Sequence, residues 1–481
     1  MLRTKKMEKA VFRRCSGMLA VVATGLLITG CAVGPDYDAS RIDDMPGQNA
    51  FSNSDSELFS VQSPMGEWWR LYETPALDAA VQEALEANTD LRVAAANLNR
   101  AEAIFRESRA GHLPSTQINA SEAYSRQFFF FDEPIEVSNR VISADLSIAY
   151  QFDLFGRVRR MVEAAVANAE AMEAAYHATQ ITVAAETTRA WAEACAAGYQ
   201  LDVARRSINL QGRSFELVSQ LRDAGRGTAL DVASASSALA QTRAMLPTLR
   251  AQHQAALYRL ATLMGREPSD YPQDVASCST PLSLEQAIPV GDGAGLLRRR
   301  PDIRQAEREL ATATARVGVA VADFYPTVSF GASLGSTALS GADLFTGQTE
   351  TLSLGPSLSW VFPNIIGTLA RKAQAEADVE AAVARFDGVW LNALRETETA
   401  LSNYRNELER VQALEEAREY SADAARLANA RFEAGQLNFL DVVQAELVLS
   451  NAEMALAESR TRIASQQVAL FLALGGGWSD R

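Results

Sequence analysis

The sequence predicts a mainly α-helical chain that lends strands to a membrane β-barrel, with one order of elements, a helix, a β-hairpin and a long helical hairpin, run through twice. Three observations predict it. Landmark residues recur at nearly one offset, two very long stretches lack proline, and short segments alternate apolar with polar residues.

The duplication is read first, because it sets the boundaries of everything else. Asp90-Leu91-Arg92 runs to Leu113-Pro114-Ser115, and Asp302-Ile303-Arg304 runs to Tyr325-Pro326-Thr327; the offset is 302 minus 90, or 212. Ala224-Gly225 with Leu230-Asp231-Val232 matches Ala434-Gly435 with Leu440-Asp441-Val442 at an offset of 434 minus 224, or 210. The expected organisation is a signal at 1–30, an N-terminal segment at 31–75, a first repeat at 76–265, a linker at 266–295, a second repeat at 296–475 and a tail at 476–481.

At the amino terminus Arg3, Lys5, Lys6, Lys9, Arg13 and Arg14 precede an apolar run from Gly17 to Gly30, the pattern of a secretory signal. The run is shorter than the roughly 20 apolar residues that cross a bilayer as a helix. It closes on Ile28-Thr29-Gly30-Cys31, which resembles the lipobox of bacterial lipoproteins, whose cysteine is acylated and becomes the new amino terminus. Ala32, standing where an aspartate would retain the chain, resembles lipoproteins sorted to the outer membrane. A covalent lipid on Cys31 is thus expected, and no other cofactor. Stable anchorage needs more than one acyl chain, because a single chain binds only marginally. With Cys15 in the signal and Cys31 acylated, Cys195 and Cys278 remain. Two cysteines make no disulfide framework, and these fall in an alanine-rich helix and in a linker, so two free thiols are expected in preference to a bridge.

In the first repeat, residues 88 to 112 lack proline and are rich in Ala, Glu and Arg, which favours a helix that Pro114 ends. From Arg157 to about Asp223 there is again no proline, and at 1.5 Å per residue such a helix runs about 100 Å. The second repeat does the same from Thr368 to about Glu433. Turns at Gly225 to Gly227 and at Gly435 to Asn438 reverse the chain, glycine supplying the positive φ of a helix C-cap. Helices this long must pack side by side. Small side chains permit the close approach: Ala164, Ala165, Ala167, Ala169, Ala171 and Ala174 in one half, Ala373, Ala375, Ala377, Ala381 and Ala382 in the other.

Between helices lie the strands. Ile142, Ala144, Leu146, Ile148, Tyr150 and Phe152 alternate with Ser143, Asp145, Ser147, Ala149 and Gln151. Val328, Phe330, Ala332 and Leu334 alternate with Thr327, Ser329, Gly331 and Ser333, and Leu352, Leu354, Leu358 and Trp360 stand opposite Ser353, Ser357 and Ser359. The strand after Pro114 is the weakest, because Glu122 shares the face of Ile118 and Ala120. Strands of about ten residues, apolar outside and polar inside, are what a bilayer-spanning barrel needs. Tyr150, Phe152, Tyr325 and Trp360 sit at strand ends, where an aromatic girdle would lie. Two hairpins cannot close on themselves, and an open edge is not tolerated in lipid, so several chains must pool their strands. Three chains of four strands each would give about twelve.

Other chemistry is poorly supported. The net charge of −14 argues against a nucleic-acid partner, which needs clustered Lys and Arg. His112, His177 and His253 are the only histidines and none stands at ligand spacing, which argues against a zinc site or a Cys–His nucleophile. Gly293-Ala294-Gly295 lacks the third glycine and the strand of a dinucleotide turn. Asp153, Asp231 and Asp441 are scattered without partners for acid–base work, so no enzyme is expected.

Several stretches carry a family likeness: Cys31-Ala32-Val33-Gly34-Pro35-Asp36-Tyr37, Trp68-Trp69, Asn88 with Asp90-Leu91, Tyr150-Gln151-Phe152-Asp153-Leu154-Phe155-Gly156-Arg157, and Arg300-Pro301-Asp302-Ile303-Arg304 with Ala306-Glu307. Over essentially the whole mature chain the sequence resembles the TolC-like outer-membrane factors, in particular their lipoprotein branch, often called NodT- or OprM-like. Val361-Phe362-Pro363-Asn364-Ile365-Ile366-Gly367 fits more loosely. The resemblance implies a homotrimer, with a twelve-stranded barrel in the outer membrane and a helical barrel reaching through the periplasm. It implies docking onto a periplasmic adaptor protein bound to an inner-membrane transporter, and export of small molecules such as drugs. Gly225, Arg226, Gly227 and Thr228 with Gly435, Gln436 and Asn438 would then be the periplasmic tips that meet the adaptor. Leu440 matches the constricting leucine, whereas the family's aspartate one turn along falls on Gln444, which leaves Asp441 or Asp231 to supply the charge or merely to cap helices. A poreless coiled-coil lipoprotein and a duct for protein secretion are the alternative readings.

Overall fold

The computed structural model describes residues 32–38, 47, 49–52, 58–60, 62, 65–130, 134–284 and 286–476. The expected signal, Cys31 and the tail beyond residue 476 lie outside the described residues. In chain order the elements are β1 (Phe59–Ser60), a 3-10 turn (Trp68–Tyr72), α1 (Pro75–Ala87), α2 (Thr89–Ala110), β2 (Ser115–Phe130), β3 (Pro134–Phe152), α3 (Arg157–Asp223), α4 (Ala229–Leu263), α5 (Gln273–Ala276) and β4 (Ile288–Pro289). There follow α6 (Gly293–Arg299), α7 (Pro301–Ala322), β5 (Thr327–Ala338), a 3-10 turn (Gly341–Asp343), β6 (Glu350–Ser359), α8 (Ile366–Glu433) and α9 (Phe439–Ala473). The chain forms two compact units, and each draws on both halves of the sequence.

The first unit holds Arg100–Glu170, Arg308–Ala384 and the N-terminal segment up to Asp38. Its centre is a four-stranded antiparallel sheet in the order β2-β3-β5-β6. The register stacks like with like. Ile118, Leu146, Leu334 and Leu352 form one row across the sheet, and the next row on the other face is Gln117, Ser147, Ser333 and Ser353. On the polar face Ser121 bonds Ser143 and Ser329 bonds Ser357, each at 2.8 Å. The apolar face is bare in the single chain: Ile118 is 79% exposed, Leu352 77% and Leu354 67%. Its aromatic margin is ordered, with Phe155 stacked on Tyr325 at 4.5 Å and the Trp360 indole donating to the Phe324 carbonyl at 3.0 Å.

The expectation of strands about ten residues long holds for the second hairpin and fails for the first, where β2 has 16 residues and β3 has 19. β5 pairs with β3 only from Ile142 to Phe152, so beyond Ile142 the first hairpin continues as two strands alone. The sequence alternation reverses phase at the same place: Ile135, Val137 and Val141 take odd positions against Glu136, Ser138 and Arg140. Glu122 sits at this boundary, ion-paired with Arg140 at 2.6 Å. The residue that weakened the sequence reading therefore marks where the apolar belt stops.

The N-terminal segment is seated by Arg160. Its side chain, 4% exposed, donates to the carbonyls of Val33 and Gly34, each at 3.2 Å, and to Asp36 at 2.7 Å. Gly34, at φ +94°, lies so close to Gly318 that a Cβ there would come within 2.6 Å of its Cα. The alanine stripes of this unit differ in burial. Ala164, Ala165 and Ala167 of α3 are covered, whereas Ala373, Ala377 and Ala381 of α8 are exposed and only Ala382 is buried.

The second unit holds Ala39–Asn99, Ala171–Glu307 and Arg385–Arg481. Trp68, wholly buried, stacks on Phe471 of α9 at 4.6 Å and 11°. Tyr72 donates to Gln467, which donates in turn to Tyr404. Asn88 caps α2 by accepting from Asp90 N–H at 2.8 Å, and its amide donates to the Leu263 carbonyl at 2.9 Å. Arg300 closes the end of α9 by donating to the Ala473 carbonyl at 2.9 Å while paired with Asp302. The motif residues are thus mostly joints.

The expectation of two free thiols is overturned: Cys195 and Cys278 form a disulfide with a Cα–Cα distance of 4.7 Å. Gly198, one turn along α3, explains how the linker reaches the helix. A Cβ at that position would lie 2.1 Å from the Cys278 carbonyl oxygen, so only glycine admits the crossing strand of backbone.

Candidate functional site: the turns joining the long helices

The two turns are built alike. After α3, Gly225 N–H bonds the Arg222 carbonyl at 2.9 Å and Arg226 N–H bonds the Leu221 carbonyl at 2.8 Å. After α8, Gly435 N–H bonds Phe432 and Gln436 N–H bonds Arg431, each at 2.9 Å. Both are the Schellman closure, whose C′ residue must be left-handed, and Gly225 and Gly435 have φ +75° and +71°. An added Cβ would meet nothing within 4 Å at either position, so the backbone angle and not the space requires glycine.

The entries to the next helices differ. Thr228 caps α4 with a full capping box: its hydroxyl accepts from Asp231 N–H at 3.1 Å, and the Asp231 carboxylate accepts from Thr228 N–H at 3.0 Å. Asp231 is therefore committed to its helix. Asn438 makes no side-chain cap on α9, and among the described residues the Asp441 carboxylate takes no partner, although Asp441 N–H bonds the Asn438 carbonyl at 3.2 Å. Of the two acidic candidates, only Asp441 presents a free carboxylate to solvent.

Both turns close on one apolar cluster. Val218, Ala235 and Ala238 from the first helical hairpin pack with Ala428, Phe439, Val442 and Val443 from the second, and the Phe432 and Phe439 rings lie 5.3 Å apart. Around it Gly225, Arg226, Thr228, Gly435, Gln436 and Asn438 are exposed and Gly227 is half-buried. Leu440 is 40% exposed and Gln444 exposed, one turn apart on the side of α9 opposite the cluster. Val448, 46% exposed, continues that stripe. It escaped the sequence reading, though its spacing of four from Gln444 could have shown it.

Glu446 was also missed. It lies on the buried face of α9, 3% exposed, and accepts from Ser214 of α3 at 2.7 Å and from Asn429 of α8 at 3.4 Å. It is one rung of a ladder between the hairpins, with Ser207 donating to Glu453 at 3.5 Å and Gln200 to Thr461 at 3.1 Å. The heptad spacing of Phe439, Glu446 and Glu453 is the sequence signal for this seam. Burial pushes the Glu446 carboxyl above its usual range, against the two hydrogen bonds that pull it down. A carboxyl whose folded pKa is raised makes the ionised protein less stable, so the seam gains stability as pH falls through that value. Glu446→Gln keeps both acceptor contacts without the buried charge. It should raise the thermal midpoint near neutral pH and flatten its rise on acidification; a melting profile over pH that does not change would refute this.

The chain matches known proteins over nearly its full length. The family described as outer membrane efflux protein matches at residues 80–266 and 295–476. The antibiotic efflux pump outer membrane protein ArpC of Pseudomonas putida is 28% identical over 473 residues, 96% of either chain. The pyoverdine export outer membrane protein OpmQ of Pseudomonas aeruginosa is 30% identical, covering 88% of this chain and 90% of its own. Among solved structures, the outer-membrane channel OprN superimposes with a TM-score of 0.86 at 35% identity, covering 93% of this chain and all of that one.

Proposed function

The chain belongs to the outer membrane efflux protein family and is an exit channel of the outer membrane, and we propose that it works as a lipid-anchored homotrimer, passing small molecules such as drugs that an inner-membrane transporter delivers through a periplasmic adaptor. Transport without catalysis is its whole activity on this reading. One observation carries it: the sheet of the first unit has a bare apolar face and two edge strands, β2 and β6, with no outer partner among the described residues. In lipid such edges must be paired, and only further copies of the same sheet can pair them while keeping the greasy face outward. The exposed alanines of α8 support a neighbouring chain at that flank. Acylation at Cys31 rests on the sequence pattern before it. Small drug-like cargo is supported by the antibiotic efflux for which ArpC is named.

We assign the constriction to Leu440 and Gln444, with Asp441 the acidic group beside them, and the adaptor contact to the two exposed turns. Purified protein in a planar bilayer should conduct weakly. Replacing both Leu440 and Gln444 with alanine should raise that conductance severalfold and admit large antibiotics into cells otherwise protected. Unchanged conductance and susceptibility would move the constriction elsewhere, and no current from either protein would remove the pore.

A further inference from the structure

The lumen face of the sheet is almost without charge. Hydroxyls, amides, glycines and alanines line it, and among the described side chains of the four strands Asp145 is the only charged one there. The remaining charged residues with described side chains, Glu122, Arg126, Arg140 and Glu350, occupy even positions, on the side of Leu146 and Leu334. Asp145 accepts from the Asn119 amide at 3.1 Å and has no cationic partner among the described residues. Across β3 it faces Gly335, where a Cβ would come within 2.8 Å of the Asp145 Cβ. No side chain therefore stands directly opposite the carboxylate on β5.

We propose that Asp145 gives the lumen a preference for cationic solutes, a specificity that rests on the trimeric barrel proposed above. Twelve strands about 4.8 Å apart and tilted about 40° enclose a backbone radius of about 12 Å. A carboxylate reaching about 4 Å inward then stands about 8 Å from the axis. The Debye length is about 10 Å at 0.1 M salt and about 3 Å at 1 M. Three such carboxylates act on a permeating ion in dilute salt and lose their reach in concentrated salt. The surrounding hydroxyls and glycines offer no opposing charge.

The test uses the full-length protein with Leu440 and Gln444 replaced by alanine, so that the constriction does not mask the barrel. Reversal potentials across a KCl gradient at or below 0.1 M should show a preference for potassium over chloride. Asp145→Asn, which keeps an acceptor for Asn119, should bring that ratio close to unity, and Asp145→Lys should invert it. At 1 M the three proteins should converge. A ratio unmoved by Asp145→Lys, or one that falls only with Asp441→Asn, overturns the proposal. A second readout does not need current. Ser147→Cys places a thiol two residues along the same face, and its labelling by a cationic methanethiosulfonate should outpace labelling by an anionic one severalfold, the difference vanishing with Asp145→Asn. Equal rates with Asp145 present sink the proposal. A protein that labels with the expected bias but passes no current sinks the pore instead, so the two failures are distinguishable.

Discussion

Leu354→Arg should abolish the heat-resistant trimer of the outer membrane, while Ser353→Arg, one residue away, should leave it standing. Leu354 lies in the row with Ile148 and Ala332, the middle of the apolar rows that run from Ala144 to Phe152. The paired stretch from Ile142 to Phe152, at about 3.4 Å per residue and tilted about 40°, is about 25 Å tall, the height of a bilayer's apolar band. A guanidinium at its centre costs about 2–4 kcal/mol per chain, and a trimer carries it three times. Ser353 faces the other way, among Ser333 and Ser147, where an arginine stays in water. Gel migration of unheated outer-membrane fractions reads both variants. Equal tolerance of the two would mean that the apolar face does not meet lipid.

Trp68→Ala should cost the second unit about 3–5 kcal/mol, the range for truncating a large buried aromatic. The indole is wholly buried, stacked on Phe471 and edge-on to Trp69 and Tyr72, at 6.0 and 6.5 Å. Among the described residues its N–H has no partner, so the loss is one of packing and not of a hydrogen bond. Trp68→Phe should therefore restore most of the stability. Denaturant titration of the detergent-solubilised protein checks the pair, and a phenylalanine variant as weak as the alanine one would point to a polar role for the indole.

These effects differ in how far they could be foreseen. Local sequence was enough for the strand faces and the long helices: the stretch read from Arg157 to about Asp223 is α3 to the residue, and its counterpart starting near Thr368 begins at Ile366. Both signals arise from neighbours in sequence, proline exclusion in one case and period-two alternation in the other. Gly225 and Gly435 were legible for the same reason, since a Schellman closure uses only residues of its own helix end. Thr228 and Asp231 differ from Asn438 and Asp441 in side-chain geometry that the shared Leu-Asp-Val motif conceals.

What the sequence alone determined is the duplicated order of elements, the two faces of each strand and the places where the chain reverses. Each depends on interactions a few residues apart, and periodicity records these directly. Tertiary structure decided the Cys195–Cys278 bridge, the Ser214–Glu446–Asn429 seam and the isolation of Asp145 on the lumen face. Those join positions far apart in the chain. Their chemistry depends on a crossing made possible by Gly198, on three helices packed together, and on a register that sets Gly335 opposite an aspartate. A carboxylate's neighbours in space set its charge and its reach, and sequence spacing does not encode them.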